Sequence, residues 1–322
     1  MKLRTYFLVV ILSIFVQNSF GQFTDDVNSN RPGRSMMAFS VGKTVIQTET
    51  GIHYISEDHK TLDYKASGFM AEMDIRYGLL FEQLELIAEI QYQNDSYTSD
   101  LIDKNRSALR KTLIGAKYLV YDPFKNYEEK PNLYSWKANN KFKWRQFLPA
   151  VGVYAGANLN FSDNPFNYAP VGIEESVISP KAMIIAQNHF GSRWVLVTNL
   201  AYNKIGTDFA SIDYIVTLTR GFNKKWSGFI ENQGYKSDFY SDGIFRLGAA
   251  YLFNKDMQID ASIGKNIKDT PNIITGGIGF SWRFTKNYKE VQIAKDKGSK
   301  MDKKVKKKAE KEEKKRKDAV GE

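Results

Sequence analysis

The sequence predicts an all-β fold: a single-chain antiparallel transmembrane β-barrel of 12 strands, followed by a basic C-terminal tail. Three observations predict it. Short segments alternate apolar and polar residues with period 2, and turn-rich gaps separate them. The segments number twelve, and single-chain bacterial barrels have an even strand count. Their apolar faces often end in aromatics while the opposite faces carry charges near mid-strand, as a lipid-facing wall around a polar lumen requires.

Taken from the N-terminus, the first element is an export signal. Lys2 and Arg4 precede an 11-residue apolar stretch from Tyr6 to Val16, and Ser19-Phe20-Gly21 supplies small residues before Gln22. Eleven apolar residues are too few for a spanning helix, which needs roughly 20. Residues 1–21 are therefore expected to be a cleaved signal peptide. The chain has no Cys, which excludes a lipoprotein anchor, disulfides and thiolate metal sites together. Residues 22–35 are expected to form an N-terminal periplasmic or lumen segment, with Arg31 meeting lumen carboxylates.

The barrel is expected over residues 36–284. Its strands read as 41–55, 66–78, 82–93, 109–120, 146–159, 178–190, 193–203, 212–220, 226–235, 243–253, 257–265 and 273–284. The second is the clearest: Phe69, Ala71, Met73, Ile75 and Tyr77 share one face, and Met70, Glu72, Asp74, Arg76 and Gly78 the other. Aromatics such as Tyr54, Tyr92, Tyr118, Trp194, Tyr202, Tyr251 and Trp282 fall where an interfacial girdle would lie. A soluble sandwich also alternates, but its core could not hold the mid-strand charges unpaired. The gaps after even strands are short (79–81, 191–192, 221–225, 254–256), as periplasmic turns should be. The exception is Tyr121–Arg145, a 25-residue gap in a periplasmic position.

The chain carries a net charge of +10, concentrated at its ends: +2 in the first 21 residues, +7 from Thr285 to Glu322, and +1 in between. A nucleic-acid-binding domain would carry its basic excess on the folded part, so no nucleic-acid partner is expected. Residues 285–322 read as a Lys/Glu-rich periplasmic tail, helical or disordered, because they have little to bury. Strand twelve ends Gly279-Phe280-Ser281-Trp282-Arg283-Phe284. Gly279, Trp282 and Phe284 resemble the terminal signal read by the outer-membrane insertion machinery, although here the tail follows it.

Several short motifs taken together resemble one family. Asn30-Arg31-Pro32-Gly33 precedes the first strand, and Gly42 to Gly51 (GKTVIQTETG) follows. Next come Arg76-Tyr77-Gly78, Leu84-Glu85-Leu86, Gly115-Ala116-Lys117-Tyr118 and Ser179-Pro180-Lys181. Asn199-Leu200-Ala201-Tyr202 and Gln258 to Gly264 complete the set. Over roughly residues 28–284 this is similar to the outer-membrane transporters grouped under the meta-pathway of phenol degradation, in the form common in Bacteroidota. The resemblance implies a barrel in the bacterial cell outer membrane that takes up small, often aromatic, compounds. Many members carry an acidic residue in the Arg-Pro element where this chain has Gly33, so no role of that acid carries over.

Enzymatic chemistry has little support. A Ser/His hydrolase needs a His within reach of a Ser. The three histidines are His53 and His189, placed near strand ends, and His59 in a loop; Ser192 follows His189 in a tight turn. No metal site or cofactor is expected. The polar lumen is the better candidate, lined by Glu49, Glu72, Asp74, Arg76, Glu85, Glu89, Lys117, Lys181, Asn199, Glu231, Arg246, Asp260 and Arg283. The expected function is passive uptake of an unidentified small-molecule solute through a channel embedded in outer-membrane lipid. The alternative is a non-conducting structural or adaptor barrel, binding a periplasmic partner or cell-envelope polymer through the 121–145 loop and the basic tail.

Overall fold

The computed structural model describes residues 27–123, 134–135, 144–161, 164–168, 172–191 and 193–285. The signal peptide, Ser192, most of the 121–145 gap and the tail from 286 onward lie outside the described residues.

Twelve antiparallel strands form a closed meander. They are β1 (Ile46–His59), β2 (Tyr64–Gly78), β3 (Leu84–Ser99), β4 (Asp103–Tyr121), β5 (Ala150–Leu159), β6 (Ile178–Phe190), β7 (Trp194–Asn203), β8 (Ser211–Gly221), β9 (Trp226–Ser237), β10 (Ser241–Asn254), β11 (Met257–Asn266) and β12 (Asn272–Phe284). Each pairs with its sequence neighbours, and β1 pairs with β12 from Ile46↔Phe284 to Asp58↔Asn272. Closure leaves no edge, so the ladder N–H and C=O groups find partners without water.

The outer wall is apolar. Ile52, Ile230 and Ile278 are 57%, 65% and 66% exposed, and they belong to a belt reaching every strand. A monomeric soluble protein does not expose so continuous an apolar surface. Aromatics flank the belt at both ends. Tyr54 and Phe69 pack edge to face at one end; Trp226 with Tyr251, and Trp282 with Phe284, pack at the other. The described residues contain no helix long and apolar enough to cross a membrane, and the crossing is made by strands.

Three places depart from the sequence expectation. Strand β1 opens at Ile46 rather than 41, and residues 36–45 belong with the lumen segment instead of the wall. Val41 and Val45 alternate like strand residues but are 3% and 0% exposed inside the barrel. Strands β3 and β4 run on to Ser99 and from Asp103, so most of the expected 94–108 loop is a ladder, paired out to Thr98↔Asp103. That pairing contains a β-bulge: Gln91 faces Lys111 and Tyr92 faces Leu109, leaving Arg110 as the extra residue.

The third departure is the long gap between β4 and β5. Its last residues form a short 3-10 helix, Trp144–Phe147, on the outside of the wall rather than free in the periplasm. Phe147 packs edge to face on Phe190, and the Asn188 amide donates to the carbonyls of Gln146 and Phe147. Asn188 lies on the lipid side of β6 with Ile184, so these two carbonyls satisfy a polar group the membrane could not. Trp144, Phe147 and Leu148 are left 82%, 50% and 45% exposed at the level of the Trp194 girdle. A variant keeping Trp144 as its single tryptophan should be quenched by brominated lipids as strongly as one keeping only Trp194. Quenching of Trp144 by aqueous iodide alone would place this helix in water.

Candidate functional site: the lumen segment and two cavities

Residues 27–45 have no regular secondary structure and cross the barrel interior. A coil in such a place must have its backbone groups satisfied by side chains. Here the wall supplies them. The Asn28 carbonyl accepts from Arg76 Nη1 (2.6 Å) and Gln47 Nε2 (3.1 Å), and the Arg31 carbonyl accepts from Gln258 (3.2 Å). Lys117 Nζ donates to the carbonyls of Met37 and Phe39, and Arg283 to that of Val41. The Asn199 amide pairs with Met36 as a strand neighbour would: Oδ1 accepts the Met36 N–H (2.6 Å) and Nδ2 donates to its carbonyl (2.9 Å). The N–H groups of Asn30, Arg34, Ala38 and Val41 donate to Glu49, Glu231, Gln187 and Glu85.

Side-chain ion pairs reinforce the attachment. Arg31 bridges Glu72 and Asp260, and Arg34 also reaches Glu72. His53 Nε2 lies 2.9 Å from the same carboxylate. Arg76 joins Glu49 (2.9 Å) to Glu85 (2.5 Å), and Lys117 lies 3.2 Å from Glu85. Glu231 accepts from Thr217 and Arg246 as well as from the Arg34 backbone. The Arg31 guanidinium needs space, and two glycines provide it. Gly51 and Gly279 face each other across the β1–β12 seam, and a Cβ on either would overlap the guanidinium. On the other side of the lumen, Met36 and Ala38 pack with Ile87, Leu113, Tyr154, Ile185 and Val197. The segment thus turns cations toward one wall and apolar groups toward the other.

The thirteen residues singled out from the sequence divide into two sets. Glu49, Glu72, Arg76, Glu85, Lys117, Asn199, Glu231, Asp260 and Arg283 are buried and hold the lumen segment. Asp74, Glu89, Lys181 and Arg246 line an open cavity, which Glu72 and Asn199 of the first set also reach. Asn30 closes a local turn, its side-chain Oδ1 accepting the Met37 N–H at 3.0 Å. Pro32 and Gly33 lead away from Arg31, and a Cβ at Gly33 would lie 2.6 Å from Glu231 Oε2. Trp282 and Phe284 face outward, rings 4.3 Å apart, whereas Gly279 lies under Arg31. His53 is in mid-β1 and buried rather than at a strand end. His59 ends β1 and stacks on Tyr64, and His189 is 3.0 Å from Gln187.

Sequence reading missed Gln47, Gln187, Arg34 and Gly51. Gln47 and Gln187 sit on inward faces, so alternation could have found them; being neutral, they drew no attention.

The segment separates two cavities. The outer one, about 810 Å³, lies between the segment and the mouth where β1 meets β2 at His59↔Tyr64. Tyr64, Tyr97, Phe166, Tyr168, Tyr235 and Tyr240 ring it. Tyr168 stacks on Tyr240 with centroids 4.1 Å apart, and the Arg106 guanidinium lies over both Tyr97 and Phe166. The inner cavity, about 190 Å³, is bounded by Phe39, His189, Val195 and Phe229. Asn30, Arg31 and Gly33 line both.

Replacing Arg31 by Ala should leave Asp260 without its cation and weaken the hold on Glu72. A lost partner of this kind costs about 3–5 kcal/mol, so thermal stability in detergent should fall. Gly279→Val should do the same by excluding the guanidinium, with calorimetry of both variants as the check.

Comparison by sequence with curated proteins finds no match. Among solved structures, the COG4313 outer membrane channel from Pseudomonas putida F1 is similar at 12% identity and a TM-score of 0.53, covering 80% of this chain and 100% of that one. The translocator domain of autotransporter NalP from Neisseria meningitidis has 9% identity and a TM-score of 0.44, with 74% and 88% of the two chains covered. The TodX deltaS2S3 mutant monoaromatic hydrocarbon channel has 10% identity and a TM-score of 0.44, with 83% and 97% covered. The first likeness shows a shared fold. A closed, even-stranded, single-chain barrel with an apolar belt is a protein of the bacterial outer membrane. Residues 29–284 match the family described as "Putative MetA-pathway of phenol degradation", nearly the span covered by the sequence motifs, and the chain belongs to that family.

Proposed function

We propose that the protein is an outer-membrane channel for passive uptake of small aromatic or apolar molecules. The observation that carries this reading is the pair of cavities meeting at Asn30, Arg31 and Gly33. A solute captured in the outer cavity is separated from the inner one by a single layer of coil held through side chains, not by a strand ladder. The aromatic ring at the outer mouth offers ring faces to such a solute. The channel named among the similar structures, and the description of the family, support the same reading.

The reading is non-catalytic. The two interior histidines are occupied by Glu72 and Gln187, an arrangement that serves packing and polar pairing rather than activation of a nucleophile.

Passage then requires the lumen segment to shift, and the cysteine-free background offers a clean test. The hydroxyls of Ser29 and Ser281 touch at 2.7 Å, so a Ser29→Cys, Ser281→Cys pair can tie the segment to β12. In proteoliposomes the oxidised variant should pass solute more slowly than wild type, and a reductant should restore the rate. Wild-type protein that inserts yet passes neither ions nor small solutes would defeat the channel reading.

A further inference from the structure

The entrance to the outer cavity can be assigned to one side chain, an inference that rests on the channel reading and extends it. Residues 164–168 belong to the connection between β5 and β6, yet they touch the wall far from those strands. Arg106, on β4, donates to the Pro165 carbonyl at 3.3 Å and lies over the Phe166 ring. The Tyr168 hydroxyl donates to Glu57, on β1, at 3.0 Å. The Tyr168 ring stacks on Tyr240, which precedes β10, with centroids 4.1 Å apart. In the closed order of strands, β1 stands four places from β5, and β10 four places from β6. Glu57 and Tyr240 both line the cavity. A connection rooted in β5 and β6 that reaches these two inward-facing groups must lie over the mouth rather than along its rim.

The contacts are of kinds that hold a loop in place. Arg106 is itself fixed to Asp95 by two bonds of 2.8 Å. Asn164 closes a turn, its Oδ1 accepting the Phe166 N–H at 3.1 Å, which keeps the stretch compact. Glu57 accepts from the hydroxyl of Tyr64 as well as from that of Tyr168. Burial, and then the Glu57 charge, push the Tyr168 phenol far above its ordinary value, so it stays a donor. A charge-assisted hydrogen bond and a ring stack thus act on the same residue.

Phe166 and Tyr168 both face the cavity, but they do different things there. Phe166 stays under Arg106, beside the strand next to its own root. Tyr168 spans the opening between β1 and the β9–β10 turn, and its ring fills the space between them. Loss of the whole side chain would break the stack and the carboxylate bond together. Loss of the hydroxyl alone would leave the ring on Tyr240. A solute arriving from the medium meets this ring before it meets the lumen segment. We propose that Tyr168 is the specificity-determining residue for entry, admitting slim planar solutes to the outer cavity and holding back bulky ones.

The absence of cysteine allows a direct test. Ser262 lines the cavity from within β11, where it pairs with Gly277, so Ser262→Cys places a thiol behind the Tyr168 contact. N-phenylmaleimide, with one flat ring, and fluorescein maleimide, which is bulky, carry the same reactive group. Each rate in the detergent-solubilised protein is taken relative to that with glutathione. On Ser262→Cys the bulky reagent should react more slowly by about tenfold or more. Adding Tyr168→Ala should raise the bulky rate by about tenfold while moving the phenyl rate by less than about twofold. Adding Tyr168→Phe instead should keep the discrimination. The steady phenyl rate and heat-modifiable gel migration check the fold. No reaction with N-phenylmaleimide, no discrimination before Tyr168 is changed, or a ratio that Tyr168→Ala leaves unmoved would overturn the proposal. Flux in proteoliposomes keeps the two readings apart. A size-dependent entrance on a barrel that passes no solute retains the Tyr168 assignment and removes the channel. Flux without any dependence of labelling on Tyr168 does the reverse.

Discussion

Lipid offers no hydrogen bonds, and the rest of the structure follows from that. Each ladder N–H and C=O in the belt must find its partner within the chain. The thirteen-residue seam from Ile46↔Phe284 to Asp58↔Asn272 meets this requirement by joining the first strand to the last. Once the wall is closed and its outer face is given to lipid, strand alternation forces every second side chain inward. The polar character of the interior is thus the counterpart of the apolar exterior, written in the same strands.

An interior filled with ionisable groups has its own requirement, since buried charges persist only when paired. The lumen segment answers it while posing the same problem in reverse. It brings Arg31 and Arg34 to wall carboxylates, and its bare backbone takes the remaining donors and acceptors of Arg76, Lys117, Asn199, Glu231 and Arg283. Neither part is satisfied alone. Of the inward residues read from the sequence, Glu72, Asp74, Glu89, Lys181, Asn199 and Arg246 reach open space, and all do so on the outer side of this contact.

The strand set was legible in the sequence because one face of each strand meets lipid, and period 2 survives wherever that holds. It fades where strands leave the membrane. Residues 94–108 are polar on both faces, so they read as a loop although they pair as β3 and β4. The opposite error occurred at 41–45, where alternating apolar residues lie in the lumen and not in the wall. Alternation also located the inward charges, but it could not separate those that grip the segment from those that face solute space. That division depends on the path of residues 27–45, which has no period. The bulge at Arg110 is equally silent in sequence, since one extra residue in a strand leaves no compositional mark.

The two glycines under Arg31 lie on β1 and β12, and Ser281 and Arg283, also on β12, hold Ser29 and the Val41 carbonyl. The berth for the N-terminal coil is therefore built partly from the strand that leaves the ribosome last. However early the coil is made, it has no complete place to dock until the sheet has curled round and its two margins have met. The complete berth, as distinct from the part offered by β1 to β4, is therefore a property of the finished cylinder.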